Sequence, residues 1–271
     1  MLEKDLLTEV WRNIKEPNNI VFKSGFEDLD SLMRINRKNV LITVGARPAM
    51  GKTTFIYTII ENLMKNNVKT LLLSFDVNKE HVVNKLLFQH AEVNKIKGNT
   101  GNINNTEWDK LADGIEKLAD WNLSVEDETL SIKQIEEVIQ KEKPEVVFID
   151  YFQLIPKGKN EDIALELKKL AKENDVTIIV TSQVSNRIEK RHNKRPLLVD
   201  LKNAETLEKI SDVVIFIYRD EYYNFDVNQE IKNGNAEIIV AKNKFGACGS
   251  VKLTFKPEIP KFYDLSEDLV F

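Results

Sequence analysis

The feature that most constrains the fold is a repeated alternation of short apolar runs with helical segments. Continuous runs of Val, Ile and Leu are typical of strands buried on both faces, as in a parallel sheet. The predicted strands lie at 40–45, 70–76, 176–183, 212–219, 236–243 and 250–255, and a further run, 145–155, begins as a strand. The predicted helices lie at 52–66, 79–90, 106–120, with Thr106 as N-cap, 131–143 and 161–174. This order predicts an α/β fold: a mostly parallel central sheet with helices on both faces and antiparallel strands at the C-terminal edge.

Composition narrows the class of protein. The chain has 271 residues, of which 42% are hydrophobic and 30% charged, as expected for a globular protein with a sizeable core. Its net charge of −4 gives no overall case for nucleic-acid binding, although it leaves room for a local basic segment. The single cysteine, Cys248, argues against a disulfide framework and favours a cytoplasmic location. No apolar run approaches the length of a membrane span, so no membrane association is expected.

The segment "GARPAMGKTTF" at 45–55 lies between a predicted strand and a predicted helix. Backbone N–H groups and the helix dipole make the start of such a helix an anion site. In the phosphate-binding pattern G-x-x-x-x-G-K-[ST], Lys52 would reach the β- and γ-phosphates of ATP, and the Thr53 hydroxyl would hold Mg²⁺. The pattern is met at Gly51, Lys52 and Thr53, whereas Ala46 stands at its first glycine. The alternative is a turn that contains "GKT" by chance.

The candidate nucleotide-binding residues are therefore those of the loop and the first helical turn. They are Ala46, Arg47, Pro48, Ala49, Met50, Gly51, Lys52, Thr53 and Thr54. Polar residues that end three further strands are candidates for the chemistry.

Asp150 follows four apolar residues, and its carboxylate is expected to hold Mg²⁺ through water. Gln183 would contact the γ-phosphate or the attacking water, and Asp76 would activate that water as a general base. Each of the three has a plainer alternative, an ordinary polar side chain that ends its strand.

Near the N-terminus, residues 2–14 place apolar side chains at helical spacing before "PNN" ends the segment. A helix this short is marginal by itself in water. It must therefore pack either on its own domain or on a neighbouring subunit.

Seven motifs in one order resemble the C-terminal domain of the DnaB-type replicative DNA helicases. They are "GFEDLDSL" (25–32), "ARPAMGKT" (46–53), "FIDYFQL" (148–154), "SQVS" (182–185), "KRPLLVDL" (194–201), "DVVIFIYRDEYY" (212–223) and "AEIIVAKNKFG" (236–246). The resemblance implies a RecA-like P-loop domain that assembles as a hexameric ring around single-stranded DNA, with ATP between subunits. It also implies a linker helix at 1–18 that packs on a neighbour, an ATPase domain at 19–271, and a primase or helicase loader as a further partner.

The resemblance assigns further roles, and the chain departs from the family pattern at several of these positions. Lys242 and Lys244 would enter the ATP site of the neighbouring subunit, but Lys244 stands where the family has an arginine finger. Asp76 replaces a catalytic glutamate, and Glu205 replaces a glycine in the DNA-contacting loop. A lysine lacks the planar fork of a guanidinium, and a carboxylate repels DNA phosphate. The departures predict weaker catalysis or weaker DNA binding.

DNA contacts are expected in a basic segment at 186–196 and in the loop after it. The predicted residues are Arg187, Lys190, Arg191, Lys194, Arg195, Lys202 and Asn203. The alternative is a solvated surface loop; segments 186–196 and 220–235 are both expected to be mobile. The main functional hypothesis is an ATP-driven motor on single-stranded DNA. The second is a weakened nucleotide-binding protein that modulates a replicative helicase, and a RecA-like recombinase or clock-type ATPase comes last.

Overall fold

The structure, a computed structural model, describes residues 7–8, 11, 15, 21–157, 162–201, 205–223 and 234–265. The strands of this part are β1 (Leu41–Ala46), β2 (Thr70–Ser74), β3 (Leu123–Glu126), β4 (Val146–Asp150), β5 (Thr177–Gln183), β6 (Val213–Arg219), β7 (Gly234–Asn243), β8 (Gly249–Lys256) and β9 (Lys261–Asp264). From residue 21 onward its α-helices are α1 (Glu27–Met33), α2 (Lys52–Lys65), α3 (Lys79–His90), α4 (Lys95–Thr100), α5 (Asn105–Ala119), α6 (Ile132–Glu142), α7 (Ile163–Glu173) and α8 (Glu205–Ile210). Short 3₁₀ helices lie at Phe152–Leu154, Asn186–Lys190, Leu198–Asp200 and Asp220–Tyr222.

All of these strands join one sheet in the order β3-β2-β4-β5-β1-β6-β7-β8-β9. The pairings from β3 to β6 are parallel, and those from β6 to β9 are antiparallel. The predicted α/β fold, with a mostly parallel sheet and an antiparallel C-terminal edge, is confirmed. Because parallel strands end at the same edge, the loops that follow β1, β2, β4 and β5 come together there.

Helices cover both faces of the sheet, which is why the apolar runs are continuous. In β6, Val213 and Ile215 belong to one hydrophobic core, whereas Val214 and Phe216 belong to the other. Apolar residues of α2 and α3 complete the first core, and those of α6 and α7 complete the second. The sheet is thus sandwiched between two helical layers, as alternating strands and helices require.

Sequence patterns missed several short elements, namely α1, α4, α8, β3 and β9. The strands β3 and β9 have 4 residues each, and α4 and α8 have 6 residues each. Segments this short do not complete enough repeats for their periodicity to stand out from a loop.

Two predicted boundaries were wrong. The N-cap of α5 is Asn104 instead of Thr106, because Asn104 and Glu107 exchange side-chain-to-backbone hydrogen bonds in a capping box. The strand predicted at 70–76 ends at Ser74, so Asp76 lies in the turn after it. The strand in 145–155 ends at Asp150 as expected, and a 3₁₀ helix begins at Phe152.

Of the N-terminal segment, residues 7, 8, 11 and 15 are described, and all four are helical. Leu7 and Trp11 are 51% and 59% exposed, and the Lys15 ammonium lies 5.6 Å from the centre of the Trp11 ring. The remainder of the predicted linker helix at 1–18 lies outside the described residues. Within the described ranges, no helix is both long enough and apolar enough to cross a bilayer.

Gly45 in β1 has no room for a side chain, since a Cβ there would lie 2.6 Å from Phe216 and 3.2 Å from Leu201. We expect Gly45→Ala to lower the free energy of unfolding by about 1–3 kcal/mol, because the buried Phe216 ring must move. Gly249→Ala is the matched control, since its Cβ would make an ordinary 3.5 Å contact with Leu32. Denaturant unfolding measures both variants, and equal stabilities would contradict the packing described for β1.

Candidate active site

The loop from Arg47 to Gly51 connects β1 to the first residue of α2, Lys52. Its backbone takes positive φ angles at Ala49 (64°) and Gly51 (92°). A Cβ at Gly51 would also lie 3.0 Å from the Phe262 ring, so both backbone conformation and packing favour glycine there. The N–H groups of the first turn of α2 have no intrahelical partners. The strand–loop–helix geometry expected of an anion site is therefore present.

Two of the predicted binding residues contribute less than expected. The side chains of Ala46 and Met50 are each 1% exposed and lie in the hydrophobic core beside α2. Because their side chains point into the core, only the backbone groups of these two residues can contact a ligand.

Lys52 lies in a partly desolvated position near two carboxylates. Burial lowers the pKa of its ammonium group below the ordinary value of 10.5, and the charges of Asp150 and Asp76 oppose that shift. The Nζ atom also lies 5.0 Å from the centre of the Tyr151 ring. A cation that has lost part of its hydration gains strongly from an entering phosphate.

Hydroxyl groups hold both oxygen atoms of the buried Asp150 carboxylate. Thr53 Oγ1 donates to Oδ2 at 2.8 Å, and Thr181 Oγ1 on β5 donates to Oδ1. The hydroxyl of Thr53 and the carboxylate are hard oxygen ligands, which fit a Mg²⁺ ion that keeps water and phosphate as its other ligands. Within the described part of the chain, no three or more His, Cys, Asp or Glu residues cluster in a way that would hold a metal by themselves.

Lys52, Thr53 and Asp150 line an open pocket of about 380 Å³ at the carboxyl edge of the sheet. It brings together the predicted catalytic residues of one chain: Lys52, Asp76, Asp150 and Gln183. Its other lining residues are Arg47, Pro48, Ala49, Gly51, Thr53, Thr54, Tyr151 and Phe255.

Hydrogen bonds between neighbouring loops position Asp76. Ser74 Oγ donates to the Val77 carbonyl at 2.7 Å, which closes the turn that carries Asp76. The Phe75 N–H donates to the Asp150 carbonyl at 2.9 Å and ties this turn to β4. The turn that carries Asp76 is thus bonded to the end of the strand that carries Asp150.

Gln183, at the end of β5, is positioned through Gln153 of the neighbouring 3₁₀ helix. Gln153 Nε2 donates to Ser182 Oγ at 2.9 Å, and its Oε1 accepts from the Gln183 N–H at 3.4 Å. The backbone of β5 is held from this side, and the Gln183 side chain lines the pocket.

Sequence patterns gave no sign of two residues near the pocket rim, Phe255 and Arg219. Phe255 on β8 lines the pocket, and the Arg219 guanidinium lies 4.0 Å from the centre of its ring. Arg219 Nη1 also donates to the Ala49 carbonyl at 3.4 Å. The strand order β6-β7-β8 places both residues beside the phosphate loop. A short sequence motif does not predict strand order, so this contact could not be anticipated from the sequence.

Lys242 and Lys244 do not line this pocket. Lys244 Nζ lies 2.8 Å from Oδ1 of Asp212, and Oδ2 of Asp212 accepts from the N–H of Leu41 at the start of β1. The phosphate loop follows the other end of β1, roughly 17 Å away at the usual rise of a strand. A catalytic contribution from these lysines therefore requires the pocket of a second copy.

Ion pairs anchor the basic segment at 186–196 to the rest of the domain. Arg191 pairs with Asp200 at 2.6 Å, and Arg195 pairs with Glu237 at 2.7 Å. A third ion pair joins Glu189 of the segment to Arg47 of the phosphate loop. The segment that we expected to be a mobile loop is thus attached at three points. Carboxylates outside the segment pair with Arg191 and Arg195, and its own Glu189 pairs with Arg47.

Of the other residues predicted to contact DNA, some lie within the described part of the chain and some do not. Arg187 and Lys190 lie exposed in the 3₁₀ helix Asn186–Lys190, and Lys194 Nζ lies 5.0 Å from the centre of the Tyr223 ring. Lys202 and Asn203 lie outside the described residues, as do the side chain of Glu205 and most of the segment at 220–235. The DNA-binding roles stay predictions.

A phosphate loop between a buried strand and a helix, with a carboxylate at the end of a nearby parallel strand, defines the class of P-loop NTPases. The chain belongs to the DnaB-like helicase C terminal domain family, which it matches over residues 22–264. The family resemblance inferred from the seven motifs is therefore confirmed.

Known relatives agree in sequence and in structure. The chain is 32% identical to the replicative DNA helicase DnaC of Bacillus subtilis, over 97% of this chain and 62% of that protein. It is 32% identical to the replicative DNA helicase DnaB of Geobacillus stearothermophilus, with the same coverage of 97% and 62%. The chain thus spans about three fifths of the length of these relatives.

Among solved structures, one that is described as an ATPase domain superposes with a TM-score of 0.88 at 32% identity, covering 97% of this chain and 98% of that one. A DnaB-like replicative helicase, described with its interactions with primase, has a TM-score of 0.87 at 31% identity and coverages of 98% and 67%. These likenesses confirm the predicted RecA-like fold of a DnaB-type ATPase domain.

Proposed function

We propose that this chain is the ATP-hydrolysing motor domain of a DnaB-type replicative DNA helicase, which moves along single-stranded DNA as a hexameric ring. The observation that carries the proposal is the pocket in which Lys52 lies beside the Thr53–Asp150 pair. The similarity to proteins named replicative DNA helicase supports it.

Within one chain, the first-turn N–H groups of α2 and the Lys52 ammonium bind the β- and γ-phosphates of ATP. Thr53 and, through water, Asp150 would hold Mg²⁺, which would offset the charge of the phosphates. Asp76 accepts a proton from the attacking water, and Gln183 orients that water or contacts the γ-phosphate. Attack of the water on the γ-phosphorus breaks its bond to the bridging oxygen and leaves ADP and inorganic phosphate.

A second copy completes the site in this proposal. Lys242 and Lys244 act on the ATP of the neighbouring subunit, since both lie far from the pocket of their own chain. Residues 1–18 pack on the neighbour as a linker helix, and the exposed side chains of Leu7 and Trp11 offer the apolar contact for it. Residues 19–271 form the ATPase domain.

The basic segment, together with Lys202 and Asn203, lines the DNA channel in this proposal. We also propose a primase or helicase loader as a partner, on the ground that one structural relative is described with primase. A cytoplasmic location remains our expectation from the single cysteine.

A second candidate function is a weakened relative that binds nucleotide and modulates a replicative helicase. Asp76 and Lys244 favour this alternative. The Asp76 side chain is a methylene shorter than the family's glutamate, and the lysine at 244 lacks the planar fork of the family's arginine.

ATP turnover measured with and without single-stranded DNA separates the two candidates. For the motor we expect DNA to stimulate turnover, and Lys52→Ala to abolish it because the phosphates lose their cation. Lys141→Ala, which alters an exposed lysine on α6, is the control and should behave as wild type. Negligible turnover with intact nucleotide affinity would contradict the motor and favour the modulator.

Restoring the family residues tests the assignment of the two altered positions. We expect Asp76→Glu to raise kcat because the longer carboxylate reaches the water, and Lys244→Arg to raise it because a guanidinium binds phosphate with two hydrogen bonds. Lys141→Arg controls for a general effect of arginine. If neither restored variant turns over faster, these two roles are wrongly assigned.

Native mass in the presence of nucleotide tests the linker helix. We expect Trp11→Glu to reduce the fraction of ring-sized particles, because a carboxylate opposes burial of this face against a neighbour. The nucleotide Kd of the same variant serves as the control for folding and should not change. An unaltered mass distribution would argue that residues 1–18 play no part in assembly.

A further inference from the structure

The end of β7 carries Lys242 toward α8 because of a β-bulge. The pairing of β6 with β7 shifts between Val214 and Ile215, where β7 holds one extra residue, Ala241. A bulge interrupts the alternation of side chains between the two faces of a sheet. Ala241 packs against the core that lies beneath α7 and α8, and Lys242 reaches the same side.

The C-terminal end of α8 holds the Lys242 side chain. Its Nζ donates to the carbonyls of Glu208 and Lys209 at 2.7 Å and 2.8 Å. Carbonyl groups at the end of a helix lack intrahelical donors and attract cations. Burial and the positive charge of Lys244 lower the pKa of Lys242.

Asp212, two residues after α8, holds Lys244 through both its main chain and its side chain. The Lys244 N–H donates to the Asp212 carbonyl at 3.0 Å, and Lys244 Nζ donates to Oδ1 at 2.8 Å. The other carboxylate oxygen accepts from Lys168 Nζ at 2.6 Å and from the Leu41 N–H at 2.9 Å. Bonds to Leu41 of β1, Lys168 of α7 and Lys244, just after β7, therefore fix Asp212.

Asp212 and Lys244, the two partners of this ion pair, differ in burial. Asp212 is 4% exposed, whereas the Lys244 side chain is 49% exposed. Burial raises the pKa of Asp212, but the hydrogen bonds from Lys168 and Lys244 outweigh it and bring the pKa below its ordinary value of 3.8. An ionised, immobile carboxylate thus supports an ammonium group that still faces solvent.

We propose that Asp212 is a positioning residue that aims the Lys244 ammonium group at the triphosphate bound by a neighbouring copy. The inference rests on the proposed function, because Lys244 has this target only if a second subunit presents its pocket. A lysine has a flexible four-carbon stem and no planar fork to set its direction. One of its three N–H donors is bonded to Asp212, which leaves two for phosphate oxygens. The carboxylate supplies the orientation that the side chain lacks.

Asp212→Asn in the full chain, assayed with ATP and single-stranded DNA, tests the proposal. The substitution keeps the shape of the side chain and removes its charge. We expect kcat to fall about tenfold or more, because the transition state loses a directed cation. The Kd for nucleotide should not change, since the pocket of the same chain is untouched, and a purely structural role would not separate the two quantities.

Lys168→Met is the matched control for Asp212→Asn. It removes one of the bonds that fix the carboxylate but leaves the Asp212–Lys244 pair, so kcat is expected to fall less than in Asp212→Asn. Loss of a buried charge between two lysines can unfold a domain, so Asp212→Glu is measured in parallel. It keeps the charge and displaces the carboxylate by a methylene, and kcat is again expected to fall.

A mixing experiment shows whether the effect of Asp212 acts across an interface. Chains with Asp212→Asn keep an intact pocket, and chains with Lys52→Ala keep an intact Asp212–Lys244 pair. Random assembly of an equimolar mixture gives about a quarter of interfaces that combine both intact parts. We expect this mixture to recover turnover. The control mixes Asp212→Asn chains with chains that carry both Lys52→Ala and Asp212→Asn; it has no intact Asp212–Lys244 pair and should recover no turnover.

The outcomes distinguish this inference from the proposed function. Wild-type kcat in both Asp212 variants, an equal loss of kcat in Lys168→Met, or no recovery in the first mixture would each overturn the positioning role and leave the motor in place. Absence of turnover in the unaltered chain would instead contradict the proposed function, and the inference with it.

Discussion

The candidate site depends on one hydrogen bond, from the Thr53 hydroxyl to the Asp150 carboxylate. It joins the first turn of α2 to the end of β4 across 97 positions of sequence. The bond is possible because β5 alone separates β4 from β1 in the sheet, and Thr181 of β5 donates to the other oxygen of Asp150. A buried carboxylate whose oxygens both have donors is tolerated in a core, and the lysine, the water-activating candidate Asp76 and the phosphate loop are arranged around it.

The parts of the site that are formed by residues close together in the sequence could be predicted from the sequence alone. Lys52 and Thr53 belong to a loop whose function resides in consecutive backbone groups and side chains, so a short pattern describes it completely. Asp150 could be found because a charge that ends a buried strand needs a partner. The structure places these residues in one pocket with Asp76 and Gln183, since parallel strands end at a common edge.

The parts that depend on strand order could not be predicted. Thr181, Phe255 and Asp212 look like ordinary strand residues in the sequence, and their partners lie on elements far away along the chain. The ion pairs of the basic segment were missed for the same reason, because Glu237 approaches it from β7. The helix α8 has 6 residues, too few to be recognised by periodicity, although its last carbonyls hold Lys242.

The two half-sites of the proposed ring lie at opposite ends of β1. One end leads from Ala46 into the phosphate loop, and at the other end the Leu41 N–H binds the carboxylate that holds Lys244. β1 is buried along its whole length and paired on both sides, with β5 and β6, so it moves only together with the sheet. A rotation of the sheet that follows nucleotide binding at one end would therefore carry Lys244 with it at the other. In such a ring the exchange of arginine for lysine matters less than the side chain alone suggests, because the direction of the cation is set by the carboxylate and the strand behind it.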